Sequence, residues 1–499
     1  MTGTPAPGWR WLAAVLALAG TGLSAGCMVG PDFVRPAPAQ VDSYTRGALP
    51  ATTEAGDGRS QRFGPAAELP ADWWRLFGSP ALDEAVRQAL QHNPTLQSAE
   101  ASLRQSQDEL RAGHGIFYPQ LDASFGATRA RTAPVLQGSS AAGTIYQVVT
   151  LSGAISYPLD VFGGERRTVE GLAAQAENQR FVAMAAYLAL EANLVQTCVA
   201  RAAYVAQRRT TEELIALERD QLHSIEAQVH AGTVPYANQL SQLSLIASNR
   251  AQLAALAQKI SQADHLLAAL QGDTPAEAAL PDVDIGELTL PRDLPLSLPS
   301  ELVRQRPDIL AAEAQLHAAS AAIGVATAAM FPSFSLSAGY GAASPQLASL
   351  LAGGSRYWSL APAVALPLLH GGTLRARRQA AIDAHAAREA DYRQTVLSAF
   401  EQVADALRAL EHDAQALQAQ AEARSSAADA LALQQAGYRA GLVAYVDLQN
   451  ADIQFHAASL SYLSALAQRH QDTVALFAAL GGGWWNAPSS GAGARAGQP

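Results

Sequence analysis

The chain has 499 residues, 49% of them hydrophobic and only 16% charged, with a net charge of −10 and a single lysine, Lys259. This balance excludes a basic nucleic-acid-binding surface. The abundance of alanine, the strongest helix former, suits long helices that pack closely.

Residues 1–26 read as an export signal. Arg10 supplies the positive region, Trp11 to Leu18 form a short apolar core, and small residues lead to Cys27. The apolar run is too short to span a bilayer. Leu23-Ser24-Ala25-Gly26-Cys27 resembles a bacterial lipoprotein signal, in which the cysteine is acylated and becomes the mature N-terminus. Ser24 stands where that pattern usually has leucine. Met28, in place of an aspartate, resembles the outer-membrane address. With Cys27 lipidated, only Cys198 remains, expected as a small buried apolar residue, and no disulfide can form.

Residues 27–78 form an N-terminal segment. A first unit spans 79–272. Ser79 and Asn93 are placed to cap helices that open with Pro80 and Pro94, and Pro119 ends the helical pattern near Phe117. Two strand-like segments follow within 119–160. Leu121, Ala123, Phe125 and Ala127 alternate in the first; Val149, Leu151, Ile155, Tyr157 and Leu159 share a face in the second. Helical pattern then fills 165–272, broken at Ala231-Gly232, where glycine folds the helix back. The stretch 165–230 would span roughly 100 Å. Its returning partner carries Leu253, Leu256, Ile260, Leu267 and Leu270 at steps suited to supercoiled packing.

A Pro-rich connector occupies 273–299, and a second unit, 300–485, repeats the first. Arg306-Pro307 answers Asn93-Pro94, and Phe331-Pro332 answers Tyr118-Pro119, both 213 positions on. Gly371-Gly372 and Ala440-Gly441 answer Gly163-Gly164 and Ala231-Gly232 at offsets of 208 and 209. Such self-similarity marks a duplicated structural unit. The second hairpin, 333–369, alternates most clearly: Phe334, Leu336, Ala338 and Tyr340, then Trp358, Leu360, Val364, Leu366 and Leu368. The helical hairpin 373–480 carries a heptad-like stripe of Val396, Phe400, Val403, Leu407, Leu410 and Leu417. Residues 486–499 are small and polar and are expected to be disordered.

A soluble half-buried hairpin would alternate in the same way. Segment length, aromatics near segment ends, long Gly/Ser/Ala-rich connections and export favour membrane strands. Four strands in lipid would leave the sheet edges unsatisfied. Closure then requires several chains, two for eight strands or three for twelve, and the pattern does not choose between them. The soluble alternative is a lipid-anchored periplasmic coiled-coil scaffold or adaptor. No His-Glu-x-x-His, Cys-x-x-Cys or phosphate-loop motif occurs, so neither catalytic nor metal-ligating residues are expected. The Gly-x-Ser-x-Gly at 22–26 falls inside the signal. Arg375, Arg377 and Arg378 read as solvated or ion-paired helix positions.

Several motifs together resemble the TolC-like outer-membrane factor family, in its lipoprotein branch of NodT- and OprM-like efflux channels. They are Cys27-Met28-Val29-Gly30-Pro31-Asp32-Phe33; Trp73-Trp74 with Phe77; the run from Leu298 through Arg306-Pro307-Asp308-Ile309; Ala311-Ala312-Glu313; Ile323-Gly324; Pro367-Leu368 with Gly371-Gly372; and Leu480-Gly481-Gly482-Gly483-Trp484. The resemblance covers about 27–485. It implies an α+β membrane protein with internal duplication: a homotrimeric 12-stranded β-barrel, four strands per chain, continued by a long periplasmic α-helical barrel. A mixed equatorial domain would draw on 31–80, 273–299 and 481–486.

The function implied is a passive outer-membrane efflux duct. A periplasmic adaptor and an inner-membrane pump would be its partners, and outer-membrane lipid its surroundings. Type I protein secretion is the alternative cargo. No cofactor is implied beyond covalent lipid on Cys27. The family closes at its helical turns, where Asp447 matches an acidic position and Asn450 stands where relatives often carry a second acid. Asp447 reads equally as a helix-starting residue. Tyr438 and Arg439 are candidates to latch neighbouring helices or to be solvated, with Tyr236 a weaker candidate at the first turn.

Overall fold

The computed structural model describes residues 28–37, 41, 43–53, 60–64, 69–132, 142–296 and 298–486. The export signal, Cys27 and the tail from 487 lie outside the described residues. Each half runs through helices, a strand hairpin, one very long helix and a returning helix. The first half contains α1 (Pro80–His92), α2 (Pro94–Gly113), β2 (Gln120–Arg131), β3 (Ile145–Leu159), α3 (Gly164–His230) and α4 (Tyr236–Gln271). The second contains α5 (Pro299–Gln305), α6 (Pro307–Ala328), β5 (Ser333–Ser344), β6 (Arg356–Ala365), α7 (Thr373–Arg439) and α8 (Tyr445–Ala479). Both long helices have 67 residues. Two short strands, β1 (Arg62–Gly64) and β4 (Asp293–Pro295), pair in parallel.

Local chemistry sets the boundaries. Ser79 Oγ accepts from Leu82 N at 3.3 Å, and Asn93 Oδ1 accepts from Thr95 N at 2.8 Å and Leu96 N at 3.2 Å. Each bond satisfies a donor that a helix start leaves free. The long helices end in matching glycine turns. Gly232 and Gly441 both adopt φ of +72°. Thr233 N donates to Gln228 O at 3.0 Å, and Leu442 N to Gly437 O at 2.9 Å. The pattern is a Schellman close, which requires a left-handed residue.

The chain forms two compact units. The first comprises Met1–Pro36, Leu103–Asn178 and Ala312–Tyr392, and holds a four-stranded antiparallel sheet ordered β2-β3-β5-β6. The last strand stops at Ala365, short of the 369 expected from alternation. Pro367 has no N–H to extend a ladder and biases its predecessor, so Leu366 and Leu368 fall beyond the sheet.

The second unit comprises Ala37–Ser102, Gln179–Ala311 and Arg393–Pro499. The predicted stripe is its core: Val403, Leu407, Leu410 and Leu417 are fully buried, as is Leu267 on the returning helix. Each such side chain contributes about 1.5–3 kcal/mol. Trp73, Phe77 and Phe477 form a buried aromatic cluster, the Trp73 and Phe477 rings meeting at 5.7 Å and 63°. Trp74 Nε1 donates to Asp83 Oδ1 at 3.0 Å. A hydrogen bond from Arg87 holds the Asp83 carboxyl well below the usual range, against the opposing effect of partial burial.

The repeat-equivalent residues Asn93 and Arg306 do the same task with different chemistry. Asn93 Nδ2 donates to Leu270 O at 2.9 Å, and Arg306 Nη1 to Ala479 O at 2.9 Å. Each binds a terminal carbonyl of its half's returning helix, a group with no partner inside the helix. Asp308 orients the guanidinium at 2.6 Å, which accounts for the Arg-Pro-Asp sequence. In the same unit, Gln61 Nε2 donates to Pro291 O at 3.2 Å, Asn486 Nδ2 to Leu69 O at 2.9 Å and Trp484 Nε1 to Gln305 O at 2.8 Å. Residues 31–36, expected with this group, instead pack in the first unit, held there by the arginine contacts described next.

Candidate functional site

Register assigns the faces of the sheet. Leu121 lies opposite Ile155, and Ile155 opposite Ala338, which faces Leu360. Phe125 pairs with Leu151, and Tyr340 with Trp358. Directly opposed residues share a face, so one side is a continuous apolar surface across all four strands. The other side carries Ser124, Ser152, Ser337 and Ser359, with Ser124 and Ser152 hydroxyls 2.8 Å apart. Much of the apolar side is exposed among the described residues: Leu121 is 71% exposed, Trp358 76% and Val364 64%, whereas Val149 and Ala342 at one end of it are buried with Leu350. Strands β2 and β6 form the two outer edges.

The N-terminal strap is bound where β3 passes into α3. Val29 N donates to Phe162 O at 3.1 Å. Arg167, only 1% exposed, donates to Val29 O and Gly30 O, both at 3.4 Å, and pairs with Asp32 and Glu170 at 2.7 Å each. Gly30 has φ of +94°, and a Cβ there would lie 2.5 Å from Gly324 Cα. Gly30 therefore requires glycine, and a Cβ at Gly324 would meet the Arg167 side chain at 2.7 Å. Phe33 stacks on His317 at 4.3 Å, and Arg35 pairs with Glu313 at 2.6 Å. Asp160 accepts from Glu165 N and Arg166 N at 3.1 and 3.0 Å, capping α3. The motif Val29-Gly30-Pro31-Asp32-Phe33 is thus a docking strap. Cys27, the expected lipid site, is the residue before it and lies outside the described residues.

At the helical turns, Tyr438 OH donates to Gln228 Oε1 at 2.9 Å, linking α7 to α3. Its ring meets that of Tyr445 at 6.0 Å. Tyr445 is buried, and its hydroxyl bonds to Gln242 Oε1. Asp447 is exposed and accepts from Ala444 N at 3.2 Å, closing the first turn of α8. Arg439 and Asn450 are exposed, and Tyr236 is 59% exposed. The structure therefore joins Tyr438, but not Tyr236, to the neighbouring helical hairpin within one chain, and gives Asp447 a capping role.

Sequence reasoning missed the buried polar residues behind these turns: Glu218, Gln242, Asn249, Tyr445, Asp452, His456 and Ser459. The available signal was polar residues occupying a core stripe, since Tyr445, Leu448, Asp452, His456 and Ser459 recur at helical steps of three and four. Cys198 is buried as expected, and burial pushes its thiol up to about 12. It is an inert core residue.

The family model described as outer membrane efflux protein matches residues 85–273 and 298–482, one segment per half. The chain is 31% identical over 470 residues to the toluene efflux pump outer membrane protein TtgF of Pseudomonas putida, covering 93% of this chain and 95% of that one. It is 30% identical to the outer membrane protein OprJ of Pseudomonas aeruginosa, over 92% and 93% of the two chains. It is 28% identical to the probable outer membrane lipoprotein SilC of Salmonella typhimurium, over 92% and 96%. Among solved structures, the outer-membrane channel OprN superposes with a TM-score of 0.83 at 26% identity, over 92% of this chain and 100% of that one. The open state of the Neisseria gonorrhoeae outer membrane channel MtrE gives 0.80 at 26%, over 92% and 98%.

Proposed function

The chain belongs to the outer membrane efflux protein family, and on that premise we propose that three copies complete a passive duct for small molecules. The protein is an outer-membrane channel subunit of an efflux system. The observation that carries the duct is the sheet, with its largely exposed apolar face and its two outer edges. In hydrocarbon each unsatisfied edge group costs several kcal/mol. Pairing β2 of one copy with β6 of the next removes every edge. Three copies of four strands make a barrel of twelve, with the serine face inward and wet. Two copies would also close; three is the number that the family resemblance implies.

The helical hairpins would continue the barrel into the periplasm, where an adaptor and an inner-membrane pump supply the energy. Exposed apolar side chains on these helices and their connecting turn, including Leu433, Leu442 and Val446, give neighbouring copies a surface to cover. Cargo in the class of small apolar organic compounds accords with the relative named as a toluene efflux pump outer membrane protein. Transport through a duct needs no catalytic group, and the protein acts without enzymatic chemistry or a cofactor. Acylated Cys27 would sit beside the pinned Met28 and fasten the strap to the inner leaflet. At the helical turns, three copies of Asp447 facing one axis would favour cations and narrow the entrance, with Tyr438, Arg439 and Asn450 around it.

The test is the mass of the detergent-purified particle and its conductance in planar bilayers. A trimer that conducts supports the duct. A chain that remains monomeric and never conducts, even with Asp447 replaced, overturns it.

A further inference from the structure

Behind the helical turns, α3, α4 and α8 enclose two carboxyl groups far from water. Glu218 on α3 and Asp452 on α8 are each 1% exposed. Glu218 Oε1 accepts from Asn249 Nδ2 on α4 at 2.6 Å. Glu218 Oε2 and both Asp452 oxygens have no hydrogen-bond partner among the described residues. The surrounding groups are amides, hydroxyls and one histidine. Gln242 of α4 donates to Glu218 O at 2.9 Å and bonds to the Tyr445 hydroxyl. His456, one turn beyond Asp452, shares a contact of 3.2 Å with Thr211 Oγ1 of α3, and burial lowers its pKa, which disfavours the charged imidazolium. Tyr438 of α7 meets Tyr445 ring to ring. The influences on Glu218 are burial, the Asp452 charge and the Asn249 bond; on Asp452 the influence is burial alone. No arginine or lysine is among them.

Two buried carboxylates without a cation are costly as anions, and such groups neutralise by taking up protons. We propose that Glu218 and Asp452 form a proton-operated latch that holds α8 against α3 and α4 behind the helical turns. With both protonated, the acids are neutral hydrogen-bonding groups and the three helices pack. As the protons leave, like charges accumulate in an apolar interior and drive the helices apart or admit water.

The sign follows from linkage. Burial and the Asp452 charge push Glu218 up to about 7, and burial pushes Asp452 up to about 6, from ordinary values of 4.5 and 3.8. A carboxyl with a raised folded-state pKa binds more protons folded than unfolded across that interval. The latch is therefore tightest below the ordinary carboxylate range. It weakens as pH rises from that range through about 6 to about 7, above which the contribution of these protons is lost. The latch concerns packing within one chain and stands whether or not the particle conducts.

The test is hydrogen exchange of the full detergent-purified chain, followed by mass spectrometry and corrected for intrinsic rates, between about pH 5 and pH 8. Peptides covering 211–225 and 445–460 should lose protection at least ~10-fold as pH rises, since each unit of pKa shift corresponds to a factor of ten. Glu218→Gln and Asp452→Asn keep the shape of the protonated acids, so each should reduce the loss. The double variant should stay protected at all pH values. Glu422→Gln, an exposed acid on α7, should behave as wild type. The latch is overturned if the double variant keeps the full pH dependence, or if protection rises with pH. Protection that follows added calcium at fixed pH instead assigns the pair to a cation and also overturns it.

Discussion

Replacing Arg167 with methionine should free the N-terminal strap while leaving the sheet intact. The guanidinium is 1% exposed and holds four partners from the strap and its own helix: two carbonyls at 3.4 Å and the carboxylates of Asp32 and Glu170 at 2.7 Å. The carbonyl bonds are long and add little. Asp32 is 83% exposed and recovers water when released, so its pair is discounted towards the surface value of at most about 1 kcal/mol. Glu170 is 24% exposed and remains beside His317 at 2.9 Å, which compensates part of its loss. Together the cost is about 2–3 kcal/mol, within the range for charged hydrogen bonds. Methionine fills most of the volume, so packing against Gly324 should survive. The assay is hydrogen exchange of residues 28–35 compared with β3. A loss of ~30- to 150-fold in strap protection is expected, with β3 unchanged. Equal protection in variant and wild type would refute the clamp, and equal loss in both segments would show Arg167 supporting the whole unit instead.

Leu360→Arg, on the apolar face, should cost about 2–4 kcal/mol in a bilayer, whereas Ser359→Arg on the opposite face should be tolerated; refolding titrations into lipid vesicles distinguish them, and equal costs would remove the assignment of faces. Asp447→Ala removes the acceptor for Ala444 N, weakening the start of α8 by about 1 kcal/mol. If Asp447 lines the entrance, basal conductance should also rise; a destabilised helix with unchanged conductance and unchanged cation block would leave it only the capping role. Cys27→Ser should abolish palmitate labelling while trimers persist, and continued labelling would move the lipid elsewhere.

Much of the architecture was readable from the chain because it is periodic. Alternation through Phe334, Leu336, Ala338 and Tyr340 marked a strand, since side chains change sides at every residue. The stripe Val403, Leu407, Leu410 and Leu417 marked a buried helix face. Proline and glycine marked the ends, because one lacks a donor and the other alone adopts φ of +72° freely. The site was less readable. Strands β1 and β4 are three residues each, too short to show a period, and they pair across more than two hundred residues. Exposed Asp447 carried an acidic motif, yet its contact in the chain is the local Ala444 N.

By itself the sequence determined the order of elements, the duplication and the sides of each strand, all of which follow from interactions between residues a few positions apart. Tertiary structure alone decided which side chains meet. Arg167 closes on a strap 138 residues away in the chain, and Glu218 and Asp452 come together only when α3 and α8 pack. No local rule can place such pairs, because their partner is selected by packing geometry and by the cost of leaving a buried polar atom unpaired.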